Sequence, residues 1–350
     1  MPAVLCSCDL LALTLSLTPC HFFYLDFLKY EHFHPFSVNQ VLLVLLLLLL
    51  WLLLHATLQR ASSQPRQGAS NQALSEDDNV VPVVICASEE RMGATMATIN
   101  SIISNTDTSV FFYVVTLRDA VKLIRFDACS YEPLKGEARL FSLNFVRFYL
   151  PLLGISHKRV IYLDDDVIVQ GDIRDLYDVK LKAGHAAAFA TDCDLPSTHE
   201  MVRSIGMQTT YMGFLDYRKQ EVKDLGISPS DCSFNPGVFV ADITEWTKQK
   251  VTKQKNIYSS AMAGGVATPP MLIVFHDKYT TLDPLWHVRH LGWSPDARYS
   301  DGFLQEAHLL HWNGPFKPWN YPAVHLDLWE RWFVPDPSGR FLLSRPERDS

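Results

Sequence analysis

Residues 159–169 read RVIYLDDDVIV. Two short, β-branched apolar runs flank three consecutive aspartates, Asp164, Asp165 and Asp166. The first run reads as a buried strand that ends on the carboxylates. Three adjacent carboxylates beside an apolar strand repel one another and resist burial. A divalent cation removes that conflict. On an extended segment, residues i and i+2 point to the same side, so Asp164 and Asp166 are placed to share one ion. An acidic turn or a helix N-cap accounts for the bare triplet equally simply.

Working outward, VVPVVICA (80–87) and VFFYVVTL (110–117) are continuous apolar runs and read as buried strands. Between them, MGATMATINSIISN (92–105) carries apolar residues at helical spacing. Strand, helix and strand at this distance make a βαβ unit, and the class is α/β. NFVRFYLPLL (144–153) reads as helical up to Pro151. HAAAFATD (185–192) and NPGVFVAD (235–242) read as strands, with shorter ones expected at 273–276 and 308–312. Ligands are expected at the carboxyl ends of the strands.

Composition fits a folded chain. Of 350 residues, 48% are hydrophobic and 20% charged, which excludes a disordered, collagen-like or coiled-coil protein. The net charge of −7 excludes a general electrostatic grip on nucleic acid, which needs a basic face. Seven cysteines without a CxxC pair exclude a zinc knuckle or a thioredoxin-type redox pair. Cys193 and Cys232 read either as a disulfide, if the domain meets an oxidising compartment, or as two buried thiols.

Near the amino terminus, residues 41–54 read VLLVLLLLLLWLLL. Extended to 38–58, the segment approaches the ~20 residues that span a bilayer, and it has no polar face. A single membrane-spanning anchor is expected there. Residues 1–37 are atypical and include a second, weaker apolar stretch. Residues 59–79 are rich in Ser, Gln, Asn and Ala and read as a solvated stem. The folded domain is expected over 80–345.

A second chemical element is HWNGPFKPW, residues 311–319. His311 offers a nitrogen ligand to Mn²⁺ beside carboxylates, or simple packing in an aromatic loop. Gly314 allows a backbone to come close to a phosphate. Lys317 offers a point charge to a diphosphate. With the aspartates, these residues compose a metal–diphosphate clamp.

Taken together, VPVVICASEERMGATMATINSI, LNFVRFYLPLL, RVIYLDDDVIVQGDI, GHAAAFATDCDLPS, CSFNPGVFVADITEW, LLHWNGPFKPW and WERWFVPDPSG resemble glycosyltransferase family 8. The resemblance implies a GT-A-like, Rossmann-related α/β fold. Its mixed, mostly parallel sheet would be flanked by helices and preceded by a single transmembrane helix. It implies a single-pass type II Golgi protein with a lumenal domain. The implied activity is a retaining transfer of a sugar from a UDP-sugar to a glycan, protein or lipid acceptor, with Mn²⁺ or Mg²⁺. By the same resemblance, Asp164, Asp166 and His311 hold the metal. Gly314 and Lys317 meet the diphosphate. Ala87, Glu89 and Arg91 lie where the first strand meets uridine, and Arg147 and Asp165 belong to the donor-binding group. Asp192 and Asn235 face the donor sugar as catalytic residues.

Departures from the family pattern are specific. Thr268-Pro269-Pro270 stands where many members have an Asp-Gln element beside the reacting carbon, and proline has no N–H to offer. The stretches 117–143 and 246–258 are shorter than the resemblance leads one to expect. These features keep open a degenerate, lumenal binding or scaffold protein. A metal-dependent phosphohydrolase on the same aspartates is a further alternative, though no second metal site is visible.

Overall fold

The structure is a computed structural model, and it describes residues 10–17, 79–117, 143–194, 209–254, 267–294, 299–336, 339 and 341–343. Strands β1 (Leu10–Leu17), β2 (Val80–Cys86), β3 (Ser109–Leu117), β4 (Arg159–Asp164), β6 (Ala187–Phe189), β7 (Val238–Asp242) and β8 (Thr280–Thr281) form one sheet in the order β1-β3-β2-β4-β7-β6-β8. Strands β5 (Val167–Val169) and β9 (Leu309–His311) form a second, two-stranded sheet. The large sheet is mixed. Pairings β2/β3, β2/β4 and β6/β8 are parallel, while β1/β3, β4/β7 and β6/β7 are antiparallel.

The βαβ unit expected from the sequence is present. Helix α1 (Met92–Ser104) joins β2 to β3, and Val81, Val83, Val84 and Ile85 of β2 are fully buried, as a strand covered on both faces must be. Helix α1 has a second task. Its inner face carries Thr98 and Ser101, followed by Asn105 at the cap. Thr98 donates to the Val167 carbonyl at 2.8 Å, Ser101 accepts from the Val169 amide at 3.0 Å, and Asn105 donates to the Val169 carbonyl at 3.0 Å. These side chains satisfy the edge of β5 that β9 does not cover, so a three-residue strand is held firmly in the core.

The core residues Tyr162, Phe239 and Trp246 stack successively, with centroids 4.8 and 5.9 Å apart. Trp246 lies on helix α2 (Ile243–Lys248), which starts on an Asp242 cap that accepts from the Glu245 amide at 2.8 Å. This packing ties β4 to β7 directly beneath the aspartates.

Four expectations are corrected. Residues 144–153 are helical as expected, in a 3₁₀ helix Leu143–Leu152 kinked at Tyr149, but the helix continues through Pro151 and does not stop there. Residues 273–276 are not a strand. They end helix α3 (Thr268–Phe275), whose Pro269 and Pro270 occupy the first turn, where a missing N–H costs nothing. The run is apolar all round and buried from Pro269 to Phe275, and such a run carries no period to separate helix from strand.

The chain also does not stay extended through the aspartates. It turns at Asp165 and Asp166, leaving the large sheet for the small one.

The fourth correction concerns the membrane. Among the described residues no helix is long and apolar enough to cross one. Residues 38–58, expected as a transmembrane helix and membrane anchor, lie outside the described residues, as do 59–78 of the stem. The β1/β3 ladder supplies the physical objection: Leu10 pairs with Leu117 and Leu17 with Val110. Strand β1 precedes 38–58 and β3 follows it, so a single crossing between them would place paired strands on opposite sides of a bilayer. The weak apolar stretch near the amino terminus is, over residues 10–17, an edge strand. LLALTLSL alternates leucine with Ala, Thr and Ser at a period of two.

Candidate metal and nucleotide-sugar site

The site forms where the two sheets part. Strand β4 ends on Asp164, the turn carries Asp165 and Asp166, and β5 leaves in the small sheet. Val167 pairs directly opposite His311 across the β5/β9 ladder. His311, 145 positions after Asp166, is thereby brought beside the aspartates. The ligand atoms of Asp164, Asp166 and His311 lie within 4.8 Å of one another, the one such group of three among the described residues. His311 Nε2 is 2.9 Å from Asp166 Oδ1 and 3.9 Å from Asp164 Oδ2.

These residues fit a divalent cation. Asp166 Oδ1 is buried and has no aligned hydrogen-bond donor, although His311 Nε2 is beside it. Gly237 forms the floor. A Cβ there would stand 2.5 Å from His311 Cε1 and 2.6 Å from Asp164 Oδ2, so any side chain would intrude among the ligand atoms. Two carboxylates and one imidazole make a mixed donor set that suits Mn²⁺ better than Mg²⁺, which prefers oxygen alone.

Four cationic or polar groups hold the carboxylates. Arg147, buried, donates to Asp164 Oδ1 at 2.9 Å and to the Pro236 carbonyl at 2.5 Å, with its guanidinium 4.9 Å from the Tyr162 ring centre. Tyr162 also donates to Asp164, at 3.2 Å. Arg91, 40% exposed at its side chain, donates to Asp165 at 2.9 Å and lies 3.7 Å from Asp166. Lys317, nearly buried, donates to Asp166 Oδ2 at 2.5 Å and to the Trp312 carbonyl.

The electrostatics follow from these contacts. Burial alone would raise the pKa of Asp166, but His311 and Lys317 hold its carboxyl far below the usual range. Asp165 is pushed up, first by burial and then by the charge of Asp166, with Arg91 opposing. The turn thus keeps one carboxylate fully ionised next to one that resists ionisation.

The remaining residues singled out in the sequence are placed as follows. Ala87 is buried and directly continues β2, whose Cys86 pairs with Asp164. Glu89 lies in a 3₁₀ turn, Glu89–Arg91, and its side chain is outside the described part. Asn235 Oδ1 accepts from the Gly237 amide at 2.8 Å, which shapes the floor beneath Asp164. Gly314 is packed closely by backbone on the side where a side chain would stand. A Cβ there would collide with the backbone of Gly292 and Trp293 at 2.1–2.2 Å, so its bareness is used for backbone packing.

Asp192 is buried, ion-paired with Arg289 and hydrogen-bonded by Ser233. Burial raises its pKa, against the lowering by Arg289 and Ser233. A carboxylate so engaged is held in place by its partners.

Four participants escaped the sequence reading: Gly237, Tyr162, His287 and Arg289. Gly237 follows Asn235 at the mouth of β7, and a glycine opening a buried strand signals close approach of another group. His287 Nε2 stands 2.8 Å from His311 Nδ1, and Arg289 is fully buried. His287 closes a 3₁₀ turn, Pro284–His287, just before Val288 bridges to Leu310, so no strand period marks it in the sequence. Burial, then the charges of His311 and Arg289, holds the pKa of His287 far below its usual value, so the ring is neutral. Cys193 and Cys232 form a disulfide, with Cα atoms 5.8 Å apart.

Comparison with known proteins agrees with this geometry. The profile described as Glycosyl transferase family 8 matches residues 82–323. Human glycosyltransferase 8 domain-containing protein 2 is 55% identical over 342 residues, covering 88% of this chain and 98% of that protein. Eighty-eight percent of 350 residues is fewer than 342 aligned positions, so the alignment opens gaps in this chain. Mouse glycosyltransferase 8 domain-containing protein 1 is 46% identical over 315 residues, covering 81% of this chain and 85% of that one.

Among solved structures, galactosyltransferase LgtC in complex with donor and acceptor sugar analogs superposes with a TM-score of 0.50 at 16% identity, over 74% of this chain and 100% of that one. That likeness speaks for the GT-A-like α/β fold alone. A profile match over residues 82–323, joined to close relatives along most of their length, makes this chain a glycosyltransferase belonging to family 8.

Proposed function

We propose that the chain transfers a hexose or pentose, with retention, from a UDP-sugar to a glycan, protein or lipid acceptor. The observation that carries this reading is the convergence of Asp164, Asp166 and His311 on a bare Gly237 floor, with Lys317 and Arg91 alongside. Asp164, Asp166 and His311 would hold Mn²⁺ or Mg²⁺, which when bound supplies a Lewis acid for the departing diphosphate. Arg147 fixes the orientation of the Asp164 carboxylate. Lys317 contributes a buried positive charge beside the diphosphate subsite, where negative charge builds as the glycosidic bond breaks. Arg91, partly exposed at the mouth, meets the nucleotide side together with Ala87, while Asp192 and Asn235 line the sugar side.

The Cys193–Cys232 disulfide supports residence in an oxidising compartment, here taken as the Golgi lumen. One observation favours a second reading, donor binding without turnover. Thr268-Pro269-Pro270 opens a buried helix and offers no side-chain amide to a substrate. The test is transfer and hydrolysis of radiolabelled UDP-glucose, UDP-galactose and UDP-xylose by the full chain, with Mn²⁺ and with EDTA. Metal-dependent release of UDP that Asp166→Ala abolishes supports the transferase. UDP binding without release supports the second reading.

A further inference from the structure

We propose that His287 is a positioning residue that fixes the ring tautomer of His311 for metal binding; this rests on the reading of Asp164, Asp166 and His311 as the metal ligands. His287 ends a 3₁₀ turn, Pro284–His287, and Val288 then bridges to Leu310 of β9. The Val288 amide donates to the Leu309 carbonyl at 3.0 Å, and the His311 amide donates to the Val288 carbonyl at 2.8 Å. Val288 packs into the core, and the His287 ring, at the end of the turn, lies against His311. The two imidazoles lie almost parallel, 14° apart in plane, with centroids separated by 5.1 Å. Their facing nitrogens, His287 Nε2 and His311 Nδ1, are 2.8 Å apart.

At that distance one nitrogen carries a proton and the other a lone pair. The His311 atom that faces Asp166 and Asp164 is Nε2. To ligate a metal, Nε2 must present its lone pair, so the proton of the neutral ring sits on Nδ1. His311 Nδ1–H therefore donates to His287 Nε2, and His287 keeps its own proton on Nδ1. That Nδ1 is buried and has no hydrogen-bond partner, so no competing group draws His287 into the opposite tautomer. Groups that orient a metal-bound imidazole through its second nitrogen characteristically tune metal affinity by about 10–100-fold. His287 is itself fully buried and stands behind His311.

The test is Mn²⁺ affinity of the full chain, read by electron paramagnetic resonance of free Mn²⁺, for the native protein, His287→Ala and His287→Asn. The asparagine carbonyl can accept the Nδ1–H that alanine cannot. The expected result is an affinity about 10–100-fold weaker in His287→Ala, with part of the loss recovered in His287→Asn. Selective ¹⁵N-histidine spectra of the native chain with diamagnetic Zn²⁺ give a reading that needs no variant. They should show His311 protonated at Nδ1 and His287 Nε2 bare. Native affinity in His287→Ala overturns this inference while leaving the metal site standing; a His311 proton on Nε2 with metal present removes His311 from the ligand set and overturns both. Absence of Mn²⁺ binding in the native chain overturns the metal reading, and this inference with it.

Discussion

Val167 and His311 face each other across the β5/β9 ladder, and this single pairing brings His311 to Asp164 and Asp166. Asp166 precedes Val167 by one residue, so its carboxylate meets the imidazole as soon as the two strands register. The register is set at a distance from the chemistry. Side chains of α1 satisfy one edge of β5, and β9 satisfies the other.

The bare floor gives the first prediction. Gly237→Ala places a methyl 2.5 Å from the His311 ring and 2.6 Å from Asp164. Gly237 has no positive φ, so the backbone itself accepts alanine. Mn²⁺ affinity should fall by about 100-fold or more, using outer-shell losses as the lower benchmark. The melting temperature without metal should change little. Calorimetric titration and unfolding of the two proteins check both parts.

A second prediction concerns Asp192 and Arg289, both essentially without exposed surface. Arg289→Met leaves a buried carboxylate without its countercharge, and the loss should be about 3–5 kcal/mol. The double variant Arg289→Met with Asp192→Asn removes both charges and should recover part of that loss. Denaturant unfolding of the four proteins gives the coupling directly. Additive losses would contradict the pairing.

The third prediction tests the disulfide. Cys193 and Cys232 close a loop with a sequence separation of 39. By loop entropy, opening it should cost roughly 3–4 kcal/mol. Cys193→Ser should melt at a lower temperature than the native chain. Alkylation with intact-mass analysis should find Cys193 and Cys232 protected until a reductant is added.

Much of this architecture was legible in the sequence because the signals were local. The apolar strands on either side of α1, the Asp164–Asp166 triplet and the His311–Trp319 element each announced themselves within ten or so residues. What was missed is non-local or carries no period. His287 lies 24 residues from His311 in the chain, and only the Val288/Leu310 bridge makes them neighbours. Helix α3 is apolar all round, so its pattern does not separate helix from strand. The strand at residues 10–17 was overshadowed by the longer leucine run that follows, although its alternation is plain once β3 offers a partner. Gly314 stands in the loop expected of it, and its bareness also lets the backbone of Gly292 come close, a contact without a local signal in the sequence.

We propose that Asp164, Asp166 and His311 make a metal-dependent UDP site. Thermal unfolding of the full chain with UDP, with Mn²⁺ and with both tests it most directly. A ligand that binds only the native state stabilises it by about 2.7 kcal/mol at a hundredfold excess over Kd. The predicted result is a rise in melting temperature that requires both ligands and disappears in Asp164→Ala. A cooperative transition that neither ligand moves, or a response that Asp164→Ala keeps in full, would contradict the account.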